Sequence, residues 1–151
     1  MPTSRYRQGY FAENEAVKIF KEVGFQARRE FRSGNNWFGK FHSRGDVLAT
    51  HPKAGFIFVE VKRTTQRERK VIRIPAIESQ KLREWAQFFL NASDSKIPSK
   101  LLLAARFPQK KWWIKEIPWG TPLEEVTIAK EKESVKNGLY VYLKTLIDPK
   151  E

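Results

Sequence analysis

Asp46, Glu60 and Lys62 are the residues of this chain whose types and spacing could do chemistry. Thirteen residues separate the two acids, and Lys62 follows Glu60 across a single valine. Side chains alternate along a strand, so Glu60 and Lys62 share one face there while Val61 points to the other. Two carboxylates beside one ammonium can hold a divalent cation and keep a proton donor or charge stabiliser next to it. The bare pattern is common, and solvated charges at a strand edge satisfy it equally well. The surrounding elements have to decide between the two.

The run Gly45-Asp46-Val47-Leu48-Ala49-Thr50 reads as one strand and Gly55-Phe56-Ile57-Phe58-Val59-Glu60-Val61-Lys62 as the next, joined by a His51-Pro52-Lys53-Ala54 turn. Upstream, residues 8–23 read as a helix. Ala12, Ala16, Ile19, Phe20 and Val23 form its apolar stripe, and Gly24 is its stop. Glu13 lies one position round from that stripe, at the boundary between core and solvent. Residues 25–31 read as a strand. Residues 33–43 read as a loop rich in Gly and Asn that also carries Trp37, Phe38 and Phe41, rings that either tuck onto the domain or stack on opened bases. Beyond Lys62 come a short strand at 71–74 and a helix opened by Pro75, with Leu82, Trp85, Ala86 and Phe89 facing the core. Gln80 lies early on that helix, near the sheet end. Two more strands are predicted at 100–107 and 111–117, around a Pro108-Gln109-Lys110 turn. Trp112 and Trp113 fall on opposite faces of the last, so both faces there must be covered. A mixed-charge stretch and the apolar run Leu139-Tyr140-Val141-Tyr142-Leu143 end the chain. Helices on a buried mixed sheet make this an α/β domain.

The 151 residues suffice for one domain with a real core. Lys and Arg number 29 against 17 acids, a formal charge of +12, far more than solubility requires. Such an excess asks for a polyanion, with nucleic acid ahead of an anionic membrane. No basic amphipathic helix, bilayer-length apolar run or signal-peptide pattern supports the membrane. The absence of cysteine excludes disulfides and thiolate metal sites and is compatible with a reducing cytoplasm, a host's if the source is viral.

The order of elements, with these residues on them, resembles the PD-(D/E)xK nuclease superfamily, and within it the archaeal-type Holliday junction resolvases. The resemblance runs over about residues 5–118. It is carried by Arg5-Tyr6-Arg7-Gln8-Gly9 leading into Ala12-Glu13-Asn14-Glu15, by Gly24-Phe25 and Arg28-Arg29, by Gly45-Asp46-Val47, by Glu60-Val61-Lys62 and by Leu102-Leu103-Ala104-Ala105-Arg106-Phe107. It implies a single nuclease domain with a restriction-endonuclease-like mixed sheet flanked by helices, and the tail 119–151 carries no matching motif. It implies Glu13, Asp46, Glu60 and the Val61 carbonyl as metal ligands and Lys62 as catalytic. A functional serine belongs in the segment before Asp46, which is longer and more aromatic here; Ser33 and Ser43 both qualify, with Ser43 nearer the acid.

The chemistry that follows is phosphodiester hydrolysis. Clustered acids repel and raise one another's pKa values unless a cation joins them. Mg²⁺, with Mn²⁺ as substitute, suits an oxygen-only set and bridges to phosphate. Lys62 would orient the attacking water or stabilise the extra charge of the transition state, and Gln80 would help hold that water. Arg5, Arg7, Arg29, Arg32, Arg63, Arg67, Arg69 and Lys70 are the candidate DNA contacts. His42 and His51 have no evident partner and read as solvated. The expected activity is a Mg²⁺-dependent endonuclease that resolves four-way junctions by paired nicks. A homodimer would match the two-fold substrate, with an interface on residues 111–117 and 139–143. Two alternatives remain open from sequence: another nuclease of this superfamily acting on branched or linear DNA, and a basic DNA-binding protein without catalysis.

Overall fold

The computed structural model describes residues 4–30, 46–92, 96–120, 122–129 and 138–148, with backbone alone for 4–10 and Ala92. Ten elements follow in order: α1 (Ser4–Val23), β1 (Gln26–Arg29), β2 (Val47–His51), β3 (Gly55–Arg63), β4 (Val71–Ile74), α2 (Ala76–Ala92), β5 (Ser99–Phe107), β6 (Lys111–Ile117), β7 (Val126–Ala129) and α3 (Leu139–Ile147). α1 starts four residues before the apolar stripe suggests, because that stripe marks only where the helix meets the core.

α1 stops where Gly24 predicts. Gly24 takes φ +117°, a region an L side chain rarely adopts. Its N–H donates to the Lys21 carbonyl, and the Phe25 N–H reaches back to the Phe20 carbonyl at 2.9 Å. These are the two bonds of a Schellman motif, closed by edge-on contact of the Phe20 and Phe25 rings at 5.4 Å. The chain therefore leaves α1 aimed straight into β1.

Five strands form the main sheet in the order β1-β2-β3-β5-β6, and β4 pairs with β7 in a separate two-stranded sheet. β3 and β5 run parallel, and the other neighbours in the main sheet are antiparallel. The central pair is apolar on both faces because both are covered. On one face α1 and α3 bury Phe20, Ile57, Val59, Leu102, Leu139 and Leu143. On the other, α2 and the β4–β7 pair bury Phe58, Ile74, Trp85, Leu101, Leu103 and Ile128. Phe58 meets the Trp85 ring edge-on at 5.0 Å, a geometry that adds about 0.5–1.5 kcal/mol beyond burial. The β2–β3 turn depends on Gly55, at φ +79°, where a Cβ would stand 2.0 Å from the Pro98 carbonyl oxygen.

The tail is part of this core. Leu139 and Leu143 are fully buried within the α1 face, so they cannot supply the subunit interface expected of them. Trp112 packs on the α1 face and Trp113 beside the α2 face, as opposite orientations require. No helix among the described residues is long and apolar enough to cross a membrane.

Candidate active site

The antiparallel and parallel pairings bring five strand ends to one edge of the sheet: the C-termini of β1, β3 and β5 and the N-termini of β2 and β6. The register Val47↔Val59 sets Asp46 opposite Glu60. Leu48 and Phe58, two residues along each strand, both enter the α2-side core, so Asp46 and Glu60 occupy that same face. Both acids are buried, at 3% and 5% exposure.

Asp46 sits where β2 bends into the ladder. Its N–H donates to the Val59 carbonyl and its carbonyl accepts from the Glu30 N–H, both at 2.9 Å. Its Oδ2 accepts the Val61 N–H at 2.6 Å. A side-chain oxygen thus takes a β3 backbone donor at the end of the ladder and fixes the carboxylate. Lys62 extends over the same face, its Nζ 3.7 Å from Glu60 Oε1 and 3.4 Å from Glu78 Oε1. The ammonium therefore ties β3 to the first turn of α2.

Glu78 is the residue sequence reasoning missed. Pro75 and an acid in the first turn, where the helix dipole favours negative charge, read only as an ordinary helix start. Gln80 is not brought to the site. Two residues on a helix differ by about 200°, so a turn that aims Glu78 at Lys62 aims Gln80 away. Gln80 is exposed, and its amide donates to Glu84 Oε1 at 3.1 Å.

Glu13 arrives at the same sheet end from the opposite face. Its Oε1 lies 3.6 Å from Arg29 Nε on β1, and Ala27, two residues before Arg29, packs in the α1-side core. Among the described residues, no three Asp, Glu or His side chains converge as metal ligands do. The expected trio of Glu13, Asp46 and Glu60 is therefore not gathered. The Asp46–Glu60 pair still fits a magnesium ion: it is buried, oxygen-only and fixed by a backbone hydrogen bond. Mg²⁺ commonly takes one or two carboxylates, keeps its waters and uses substrate phosphate for the rest.

A second polar cluster fills the α1 face at this edge. Glu15 accepts from Arg106 Nε at 3.1 Å and from Trp112 Nε1 at 2.7 Å. Burial raises the Glu15 pKa, but those bonds and the charges of Arg106 and Lys110 outweigh it and hold the carboxyl below its ordinary range. Arg63 stands beside Arg106 across the β3–β5 register. The cue in the sequence was Arg106 itself, a charge ending an otherwise apolar strand.

Of the other candidates, Arg67, Arg69 and Lys70 are exposed on the segment between β3 and β4. Arg69, Lys70, Val71 and Arg73 line an open cavity of about 430 Å³. Arg5 and Arg7 fall within α1, but their side chains, like Arg32, Ser33, Trp37, Phe38, Phe41, His42 and Ser43, lie outside those described. His51 is remote from the acids. It ends β2 at the opposite sheet edge, where its Nδ1 accepts the Lys53 N–H and its ring lies 5.2 Å from Phe25.

A mixed five-stranded sheet with helices on both faces defines a restriction-endonuclease-like α/β fold. The sequence matches the family described as archaeal Holliday junction resolvase (Hjc) over residues 4–146, and the chain belongs to that family. The match continues past residue 118 and into α3. Among solved structures, the fold is similar to the 1.6 Å structure of Archaeoglobus fulgidus Hjc, a Holliday junction resolvase from an archaeal hyperthermophile. The TM-score is 0.53 over 78% of this chain and 86% of that one, at 16% identity, which speaks to the fold alone. A search of curated proteins finds no match.

Proposed function

We propose that this protein is a metal-dependent endonuclease that resolves four-way DNA junctions by paired, symmetric nicks, acting in the cytoplasm. The observation that carries the reading is the buried Asp46–Glu60 pair with Lys62 on the same face. A binding protein gains nothing from two buried acids at an edge meant to meet phosphate.

In this reading Asp46 and Glu60, with the Val61 carbonyl, hold Mg²⁺ or Mn²⁺. When bound, the metal activates water and polarises the scissile phosphate. Asp46 is kept in position by the Val61 N–H. Lys62 stabilises the negative charge that develops on the phosphorus oxygens, its ammonium steadied by Glu78. Glu13 is an outer member, reaching the sheet end from α1 beside Arg29. Ser43 acts from the segment before Asp46, and Gln80, exposed and bonded to Glu84, takes no part.

Arg5, Arg7, Arg29, Arg32, Arg63, Arg67, Arg69 and Lys70 contact phosphates, so recognition follows junction shape rather than base sequence. A homodimer matches the two-fold substrate. Ile77 and Phe88, 51% and 39% exposed, lie eleven residues apart on nearly the same side of α2 and supply an apolar surface for it. The deciding experiment incubates labelled four-way junction and linear duplex with the protein, with and without Mg²⁺. Paired incisions confined to the junction and requiring the metal support the reading. Cutting of linear duplex alone, or no cutting at all, rejects it.

A further inference from the structure

We propose that Arg63, backed by Arg106, forms a seat for a second DNA phosphate on the face of the sheet opposite the acids, so that the bound strand passes across the sheet edge. The inference rests on the nuclease reading for its ligand, a phosphodiester group of the strand being cut. Arg63 follows Lys62 directly, and alternation along β3 turns the two cations to opposite faces at the same edge.

The Arg63 guanidinium is poorly satisfied. Its Nε and Nη1 are buried and have no hydrogen-bond partner among the described residues. Arg106, its neighbour in the β3–β5 register, is a like charge. Strands in a sheet stand about 4.8 Å apart, so the two like-charged side chains leave the same face side by side. The nearby counter-charge is Glu15, and both its oxygens are engaged, Oε2 by Arg106 and Oε1 by Trp112.

Two cations served by one fully engaged carboxylate leave an excess of positive charge and of donors. A buried donor without a partner is a standing cost, relieved when an acceptor arrives or the side chain swings out to meet one. Phosphate oxygens match the planar fork of a guanidinium. The exit of β3 is held firm beneath the seat, with the Thr64 N–H on the Arg106 carbonyl at 3.1 Å and Thr64 Oγ1 accepting from the Gln66 N–H. Arg63 can therefore change rotamer without moving the strand that carries Glu60 and Lys62.

The test measures junction affinity against salt for the wild type, Arg63→Gln and Lys100→Gln without added metal, so that no cleavage intervenes. Lys100 lies at the opposite sheet edge, beside Glu116, and controls for net charge. Arg63→Gln should lower the slope of log affinity against log salt by about 0.9, so that a four-fold rise in salt costs roughly 3-fold less affinity than in the wild type. Lys100→Gln should leave the slope unchanged. The urea midpoint of Arg63→Gln should equal or exceed that of the wild type. Equal slopes in Arg63→Gln and wild type overturn the seat.

Failure of the nuclease reading is distinguishable. A protein that binds DNA but never cuts it loses that reading, while the slope comparison still decides the seat. If the protein binds no DNA, or Arg63→Gln does not fold, wild-type protein is titrated with inorganic phosphate and followed by ¹⁵N NMR at the Arg63 Nε–H. A shift absent in chloride of equal ionic strength supports the seat, and no shift overturns it.

Discussion

Asp46→Asn separates the catalytic from the structural share of the acid pair, because the amide keeps one role of the carboxylate and reverses the other. The Val61 N–H needs an acceptor, and it now reaches Asp46 Oδ2 at 2.6 Å. The introduced amide satisfies it by turning its carbonyl oxygen to Val61, which forces its NH₂ into the place of the other carboxylate oxygen. A donor then stands where a cation needs an acceptor. Exchanging a charged hydrogen bond for a neutral one costs about 1 kcal/mol. Relief of repulsion from Glu60, opposite in the register, works the other way, though the Lys62 ammonium 3.7 Å from Glu60 already offsets part of that repulsion. Folding stability should therefore fall by no more than about 1 kcal/mol from the wild type.

Loss of a group that only orients a metal ligand lowers metal affinity or activity by about 10–100-fold, so loss of a ligand should cut junction cleavage by at least about 100-fold. Junction affinity should hold or rise slightly. Asp46→Ala should lose cleavage as well, and about 1–3 kcal/mol of stability, because it leaves the Val61 N–H buried without its acceptor. Single-turnover cleavage of labelled junction, beside urea unfolding of each variant, reads both quantities. Cleavage by Asp46→Asn within about ten-fold of the wild type would refute the metal assignment, and a collapse of its stability would refute the hydrogen-bond argument.

Glu78→Gln removes one of the two carboxylates beside Lys62, a partly exposed pair worth at most about 1 kcal/mol, and should slow cleavage about 5-fold while lowering stability by no more than about 1 kcal/mol; a rate equal to wild type would leave Glu78 a bystander. Glu15→Ala should lower stability by about 2–4 kcal/mol through loss of two bonds to a partly exposed carboxylate. Because folding depresses the Glu15 pKa, its contribution is present above the ordinary carboxylate value of 4.5 and lost as pH falls below it. Urea midpoints should thus fall more steeply for the wild type than for Glu15→Ala below about pH 4.5, and parallel curves would contradict this. Gln109 and Lys110 hold φ of 69° and 58° in the β5–β6 turn, so Gln109→Gly should raise stability by about 0.5–1 kcal/mol in urea unfolding and Gln109→Val should lower it. Light scattering at micromolar concentration should give a dimer that Ile77→Asp with Phe88→Asp converts to a monomer; a wild-type monomer that still makes paired cuts would contradict the proposed assembly.

The sequence by itself determined the elements whose signals are local. Gly24 marked the end of α1, the apolar run from Gly55 to Val59 marked a strand covered on both faces, and Lys111–Ile117 was legible from end to end. Placing Asp46 and Glu60 at neighbouring strand ends needed only the turn between them and the alternation of side chains. The tertiary structure decided what depended on distant partners. β7 is four residues flanked by charges, with Ile128 its buried side chain, and it becomes a strand because β4, far away in sequence, offers a free edge. Leu139–Leu143 was an apolar run without an evident period until packing on α1 made it one side of α3. The face reached by each charge was likewise beyond local pattern. Glu13 lies midway along α1 and Glu78 in the first turn of α2, with Gln80 only two residues beyond it. Only the rotation of α1 and α2 against the sheet, fixed by which stripe each buries, turns Glu78 toward Lys62, Gln80 outward and Glu13 to Arg29.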